Sequence, residues 1–267
     1  MTARVLVTGG TGTLGRQVVP RLQAAGCDVR VLSRRAHDAA DGIEYVTGDL
    51  LTGEGVPAAV DGAAIIVNCA GSNKGDDEAA GNLVRAASAA SGSAVRHLVH
   101  ISVIGADRVP LVSGVDRAMF GYFGTKLAAE RIVAESGLPW TTLRAAQFHD
   151  LILMVAQQLA KLPVLPVPAG FRFQPVDAGD VAVRLVELAL DSPAGLVPDL
   201  AGPRVYPAGD LLRSYLRARG KHRPMVPVRL PGAAARAFRA GVNLAPDRAV
   251  GARTWEDFLA DRVIAAA

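Results

Sequence analysis

Short runs of uninterrupted apolar residues alternate with longer helical periodicities through the first half of the chain. Arg4–Thr8, Asp28–Ser33, Ile43–Thr47, Ala63–Asn68, His97–Ser102 and Trp140–Arg144 read as strands. Between them lie a helix from about Thr13 to Ala25, alanine-rich helical stretches around Pro57 and over Glu78–Ala90, and a further helix before Trp140. Strands that are apolar along their whole length and separated by helix-length segments predict a parallel sheet buried on both faces, which is a doubly wound α/β fold. Ligands of such a sheet bind at the carboxyl ends of its strands.

After Phe148 the rhythm changes. An apolar helix runs to about Leu162, followed by the proline-rich Pro163–Pro168, the short segment Phe171–Gln174 and a helix over Asp177–Leu190. Helical patterns return at Ala208–Arg219 and near Thr254–Val263, among Pro198, Pro203, Pro207, Pro224, Pro227 and Pro231. The pattern predicts a nucleotide-binding domain over residues 1–147 and a smaller substrate-binding portion over 148–267, with helix 177–190 packing back on the core.

At 267 residues, half of them hydrophobic, the chain can bury a large core without disulfides or metals. No apolar run approaches the roughly 18–20 residues of a membrane-spanning helix. The N-terminus enters its first strand without the zones of a secretory signal, so a cytoplasmic location is expected. The only two cysteines, Cys27 and Cys69, lack metal-ligand spacing, which argues against zinc and disulfides and reads both as small core residues. The net charge is +4, and Pro203–Arg253 holds eleven Arg or Lys against Asp210 and Asp247. Those cations are scattered among prolines and alanines without interleaved aromatics, a pattern of a solvated face rather than a nucleic-acid platform.

Thr8-Gly9-Gly10-Thr11-Gly12-Thr13-Leu14-Gly15 directly follows the first strand and opens the first helix. The Gly9, Gly12, Gly15 spacing suits a tight turn, close approach to a pyrophosphate and close helix packing, while the helix start offers amide donors to the anion. This is the phosphate turn of a Rossmann-type domain. An acidic residue commonly ends the second strand and binds the ribose 2′-hydroxyl, but here the strand ends Ser33-Arg34-Arg35. Two guanidinium groups and a hydroxyl suit a 2′-phosphate, so NADP(H) is expected in preference to NAD(H).

With this turn, the Ser33-Arg34-Arg35 end, Gly48-Asp49-Leu50 and Tyr122-Phe-Gly-Thr-Lys126, the chain resembles the atypical short-chain dehydrogenase/reductase superfamily, most closely its NmrA-like NAD(P)H-binding branch. Tyr122–Glu130, Leu138–Arg144, Gln147–Asp150 and Thr254–Phe258 are similar to bacterial members of that branch. The resemblance implies that Asp49 and Leu50 lie beside the adenine, that Cys69-Ala70-Gly71 lines the cofactor, and that backbone near Ala146, Gln147 and Phe148 approaches the nicotinamide. Cys69-Ala70 departs from the more usual Ala-Ala or Asn-Ala pairing.

Positions i and i+4 share a helix face, so Lys126 can hold its ammonium near the Tyr122 phenol and the cofactor ribose. A neighbouring cation moves a phenol down from about 10 toward neutrality and fits it to exchange a proton as hydride moves. Ser102, ending the fifth strand, would hydrogen-bond the substrate oxygen. The plainer alternative makes Lys126 and Glu130 an ordinary i, i+4 ion pair. Gly121 and Gly124 flank the tyrosine and weaken the helix by roughly 1 kcal/mol each.

His149 reads as a satisfied structural histidine or else, beside Asp150, as a second proton donor or a substrate hydrogen-bond partner. Met154, Phe171 and Phe173 are candidates for an apolar substrate wall or for plain core. Together these residues predict an NADPH-dependent oxidoreductase of a small carbonyl, enone or quinone-like substrate. The branch also holds non-catalytic NADP(H)-sensing regulators that bind a protein partner, which stays the alternative. Homo-oligomerisation is left open.

Overall fold

In the computed structural model, which describes residues 3–38, 42–71, 75–90 and 95–264, a seven-stranded sheet runs in the order β3-β2-β1-β4-β5-β6-β9. Its strands are β1 (Arg4–Thr8), β2 (Asp28–Ser33), β3 (Ile43–Thr47), β4 (Ile65–Asn68), β5 (His97–Val103), β6 (Trp140–Ala145) and β9 (Gly195–Leu196). The recorded pairings β1–β2, β1–β4, β2–β3, β4–β5 and β6–β9 are all parallel. The doubly wound α/β expectation holds, and the six predicted strands fall within two residues of their predicted bounds. Order reverses at β1, where β2 and β3 lie to one side and β4 to the other, which is the switch point at which such sheets bind ligands.

The chain divides into two compact units. Unit one comprises Met1–Ser102, Gly124–Arg144 and Val181–Pro198, and unit two comprises Val103–Phe123, Ala145–Asp180 and Asp199–Ala267. Helices α1 (Gly15–Ala24), α2 (Val56–Val60) and α3 (Asp76–Ala89) lie in unit one. There Leu6, Leu32, Ile66 and Leu98 from the sheet pack with Val56 and Val60 of α2, Leu83 of α3 and Val133. Every residue of β4 and β5 is buried, the polar Asn68, His97, His100 and Ser102 included, so neither strand shows the alternation of a half-exposed one.

Helix α4 (Gly114–Ala134) runs unbroken through Gly121 and Gly124. These two interior glycines lower its intrinsic stability without stopping it, since Phe120, Phe123 and Ala129 are buried along its length. At its start the buried Asp116 accepts from the Ser113 hydroxyl at 2.7 Å and from the Ala234 amide at 2.9 Å, tying two segments of unit two together.

Unit two has its own core, in which α5 (His149–Leu159), α7 (Ala208–Ala218) and α9 (Trp255–Ile264) pack Ala156, Leu211, Tyr215, Trp255 and Phe258 together. The proline-rich stretch contains β7 (Leu165–Pro168), which pairs in parallel with β11 (Met225–Val228), and β8 (Arg172–Phe173) pairs antiparallel with β10 (Tyr206–Pro207). The sequence reading saw no strand there. Two-stranded ladders tolerate prolines whose missing N–H faces away from the partner, and such strands leave no apolar run to detect. Cys27 and Cys69, expected as small core residues, are both partly buried. Among the described residues no helix is long and apolar enough to cross a membrane.

Candidate functional site

The phosphate turn sits between the end of β1 and α1. Gly9 has φ +66°, a left-handed conformation that favours glycine, and a Cβ there would stand 2.7 Å from the Ala70 amide nitrogen. A Cβ on Gly15 would collide with the Gly9 carbonyl and the Gly10 backbone. The turn is therefore closed by backbone packed on backbone, and only glycine fits it. Helix α1 begins at Gly15 without a side-chain cap and without an acidic residue in its first turn, so no side chain of its own competes with an anion for the positive end of its dipole. A dinucleotide pyrophosphate fits this cradle.

At the carboxyl end of β2, Ser33 is buried, while Arg34 and Arg35 are exposed and have no ion-pair partner among the described residues. The Arg35 amide donates to Ser33 Oγ at 3.2 Å, and His37 Nε2 lies 3.1 Å from the same oxygen. His37 was not among the residues read from the sequence. It lies past the strand in a segment without periodicity, where nothing marks a histidine that folds back.

Asp49 is half-buried and accepts from the Leu51 amide at 2.9 Å, holding the tight turn after β3. Leu50 points into the core, and its carbonyl accepts from Asn82 Nδ2 at 2.8 Å. After β4 come Cys69, Ala70 and Gly71. Burial pushes the Cys69 thiol up to about 12, against the opposing charge of Lys126, so this cysteine stays a neutral thiol.

Strand register builds a polar row across β1, β4 and β5. Thr8 pairs with Asn68, and Asn68 with His100. The Thr8 hydroxyl donates to Asn68 Oδ1 at 2.6 Å, and Asn68 Nδ2 donates to His100 Nδ1 at 3.0 Å. That arrangement assigns the imidazole proton to Nε2. Burial, and then the Lys126 charge, push His100 down to about 3, so it is neutral throughout the ordinary pH range.

The stability consequence of His100 has a definite sign. Its folded value lies below the free value of 6.5, so its contribution is full above pH 6.5 and is lost as pH falls toward 3. Urea unfolding is expected to show stability declining across that window, with a shallower decline in His100→Asn. Equal slopes for the two proteins would remove His100 as the cause.

Lys126 is buried, and its Nζ lies 2.9 Å from Asp76 Oδ2 at the start of α3. A Cβ on Gly71 would come 3.2 Å from that ammonium, which places Lys126 against the turn after β4. Glu130 instead holds Arg144 in a two-point bond, with Arg144 Nε at 2.9 Å and Nη2 at 2.6 Å. The ordinary Lys126–Glu130 pair is thus replaced by two separate buried ion pairs. Ser102 is buried on β5 two residues past His100, and its hydroxyl has no hydrogen-bond partner among the described residues. Tyr122 lies half-buried on α4, its ring edge-on to Phe123 at 5.7 Å.

Unit two holds the remaining candidates. The Ala146 amide donates to the Leu200 carbonyl at 2.9 Å, the Gln147 carbonyl accepts from Val176 at 3.0 Å, and Phe148 caps α5 with an extended backbone. Gln147 Oε1 is buried without a partner among the described residues. His149 is fully buried between Trp255 and Phe258, and its Nδ1 faces the Asp177 carboxylate at 3.9 Å. His149, the Gly179 amide and Arg253 push Asp177 down to about 2. Met154 is 52% exposed on α5, and Phe173 packs at the margin of the Trp255 core. Phe171 is buried against Phe238 at 5.3 Å and borders a 450 Å³ groove with Val167, Arg172, Pro207 and Arg213.

Residues 9–160 match the family described as NAD(P)H-binding. The chain belongs to that family. Two kinds of relative bracket it. An uncharacterized protein of Mycobacterium tuberculosis is 29% identical over 236 residues, covering 85% of this chain but only 24% of the relative, so the chain spans about a quarter of that longer protein. A (4-alkanoyl-5-oxo-2,5-dihydrofuran-3-yl)methyl phosphate reductase of Streptomyces griseus is 30% identical over 81% of this chain and 74% of the relative. In fold, the chain is similar to an NADPH-dependent quinone oxidoreductase of Escherichia coli complexed with NADPH, with TM-score 0.79 and 20% identity over 97% of this chain and 99% of that one. The family match agrees with the short-chain dehydrogenase/reductase resemblance seen in the sequence and covers the phosphate turn, the Arg34-Arg35 edge and the Tyr122/Lys126 helix.

Proposed function

We propose that this chain is an NADPH-dependent oxidoreductase that reduces a small, largely apolar carbonyl, enone or quinone-like substrate. Residues 1–147 hold the dinucleotide and residues 148–267 supply substrate contacts. The observation that carries this reading is Lys126, buried against Gly71 and paired with Asp76 at 2.9 Å, four residues after Tyr122 on one helix. A dinucleotide held through its pyrophosphate at the Gly9–Gly15 turn would supply hydride to the substrate. The chain's own residues do the rest: amides of the Gly9–Gly15 turn receive the pyrophosphate, Ser102 donates to the substrate oxygen, and Tyr122 delivers a proton to it as negative charge develops.

The preference for NADP(H) rests on two guanidinium groups that no carboxylate among the described residues claims. Hydrogen bonds to charged groups contribute about 1.5–3 kcal/mol each. Replacing both Arg34 and Arg35 by alanine is therefore expected to weaken NADP⁺ binding at least roughly tenfold, with NAD⁺ binding changed less than about twofold. Calorimetry measures both, and equal losses for the two dinucleotides would refute the assignment.

The reading as a whole is tested by following NADPH oxidation against a panel of quinones, enones and ketones. Turnover with at least one acceptor is expected. Tight NADPH binding without turnover on any acceptor, together with capture of a protein partner that depends on cofactor redox state, would replace the enzyme by a cofactor-sensing regulator.

A further inference from the structure

We infer that His37 is a third determinant of 2′-phosphate recognition and that its proton sets how strongly the chain discriminates NADP(H) from NAD(H). The inference rests on the NADP(H) reading above and adds a residue and a regulation to it. The argument starts from one hydroxyl. Ser33 Oγ, at the end of β2, has two acceptor positions and one proton to give. The Arg35 amide fills the first acceptor position at 3.2 Å, and His37 Nε2 lies at 3.1 Å.

What the hydroxyl does then depends on the imidazole. When Nε2 is an unprotonated acceptor, Ser33 spends its only proton on His37 and has none for a phosphate. When His37 is protonated, Nε2–H donates to Ser33, fills the second acceptor position and turns the Ser33 O–H outward as a donor. The neutral tautomer with the proton on Nε2 also turns the hydroxyl outward. Only the imidazolium adds a positive charge beside Arg34 and Arg35.

The imidazole is held in place for this role. Its ring lies on Tyr45 of β3 with centroids 4.8 Å apart and planes 31° from parallel, so one face is covered by an aromatic surface. Among the described residues, the charged and titratable groups next to it are Arg34, Arg35 and Asp38 on its own segment and Tyr45 on β3. Glu44, the neighbouring β3 residue, is engaged by Arg30 Nε at 3.0 Å and by Arg4. A 2′-phosphate dianion favours the imidazolium and the outward hydroxyl together, whereas the 2′-hydroxyl of NAD(H) gains from neither charge. Binding of the phosphorylated dinucleotide is therefore coupled to proton uptake by the imidazole.

The test is calorimetric titration of the whole chain with NADP⁺ and with NAD⁺ at about pH 6.5 and about pH 8.5, in two buffers of different ionisation heat. NADP⁺ is expected to bind roughly three- to tenfold more tightly at the lower pH, with net proton uptake, while NAD⁺ affinity stays level. The exposed position of His37 makes His37→Gln a mild change for folding, and a melting curve serves as its check. That variant is expected to lose the tightening at the lower pH and to keep only the buffer-dependent heat that belongs to the phosphate. It also separates the protein's proton from the phosphate's own titration near about pH 6, which the variant keeps. A wild-type NADP⁺ affinity independent of pH, or a His37→Gln variant with undiminished pH dependence, overturns the role of His37 and leaves the NADP(H) preference standing. Absence of binding heat from both dinucleotides overturns both.

Discussion

Tyr122→Phe is expected to lower kcat for NADPH oxidation by a carbonyl or quinone acceptor about 10²- to 10⁴-fold, while calorimetric affinity for NADP⁺ changes less than about twofold. The substitution removes one oxygen from a half-buried ring and keeps the edge-on contact with Phe123 at 5.7 Å. Loss of rate without loss of binding isolates proton delivery, because a uniform binding contribution would move KM instead. The phenol stands four residues before a buried ammonium on an unbroken helix, and a cation at that spacing favours the phenolate left behind after proton transfer. Undiminished turnover of the variant across the whole acceptor panel would remove Tyr122 as the donor and leave Ser102 or solvent in its place.

Glu130→Ala is expected to destabilise the fold by about 3–5 kcal/mol without touching the cofactor turn. Both partners of the Glu130–Arg144 pair are buried, at 9% and 8% side-chain exposure, and the bond is two-pointed. Removing the carboxylate takes the two-point bond away from a buried guanidinium. Replacing both residues together, Glu130→Leu with Arg144→Met, removes the buried charge as well and is expected to recover most of the loss. Urea unfolding followed by circular dichroism reads both variants. A loss below about 1 kcal/mol for the single variant would show that the pair is hydrated in solution.

These two cases also show how far the linear order of residues carries. The Tyr122 to Lys126 spacing is a one-helix relationship and is visible in the sequence. The partners of Lys126 and Glu130 are not, because Asp76 and Arg144 are fifty residues before and fourteen residues after them in the chain. Local spacing proposed the Lys126–Glu130 pair, and the sheet register together with the start of α3 supplied better-placed partners for each. His100 was overlooked for a similar reason: within an apolar run it resembles any strand residue, and only its alignment with Asn68 and Thr8 across two neighbouring strands makes it part of a polar row.

The sequence alone determined the doubly wound sheet and the phosphate turn. Burial on both faces writes a strand as an unbroken apolar run, and a turn closed by backbone against backbone admits only glycine at Gly9 and Gly15. Tertiary structure decided which charges are buried in pairs, how His37 returns to Ser33 over Tyr45, and that proline-bearing Leu165–Pro168 and Met225–Val228 form a ladder. Such features depend on distances between residues far apart in the chain or on strands too short and too proline-rich to carry a period, and no local pattern encodes either.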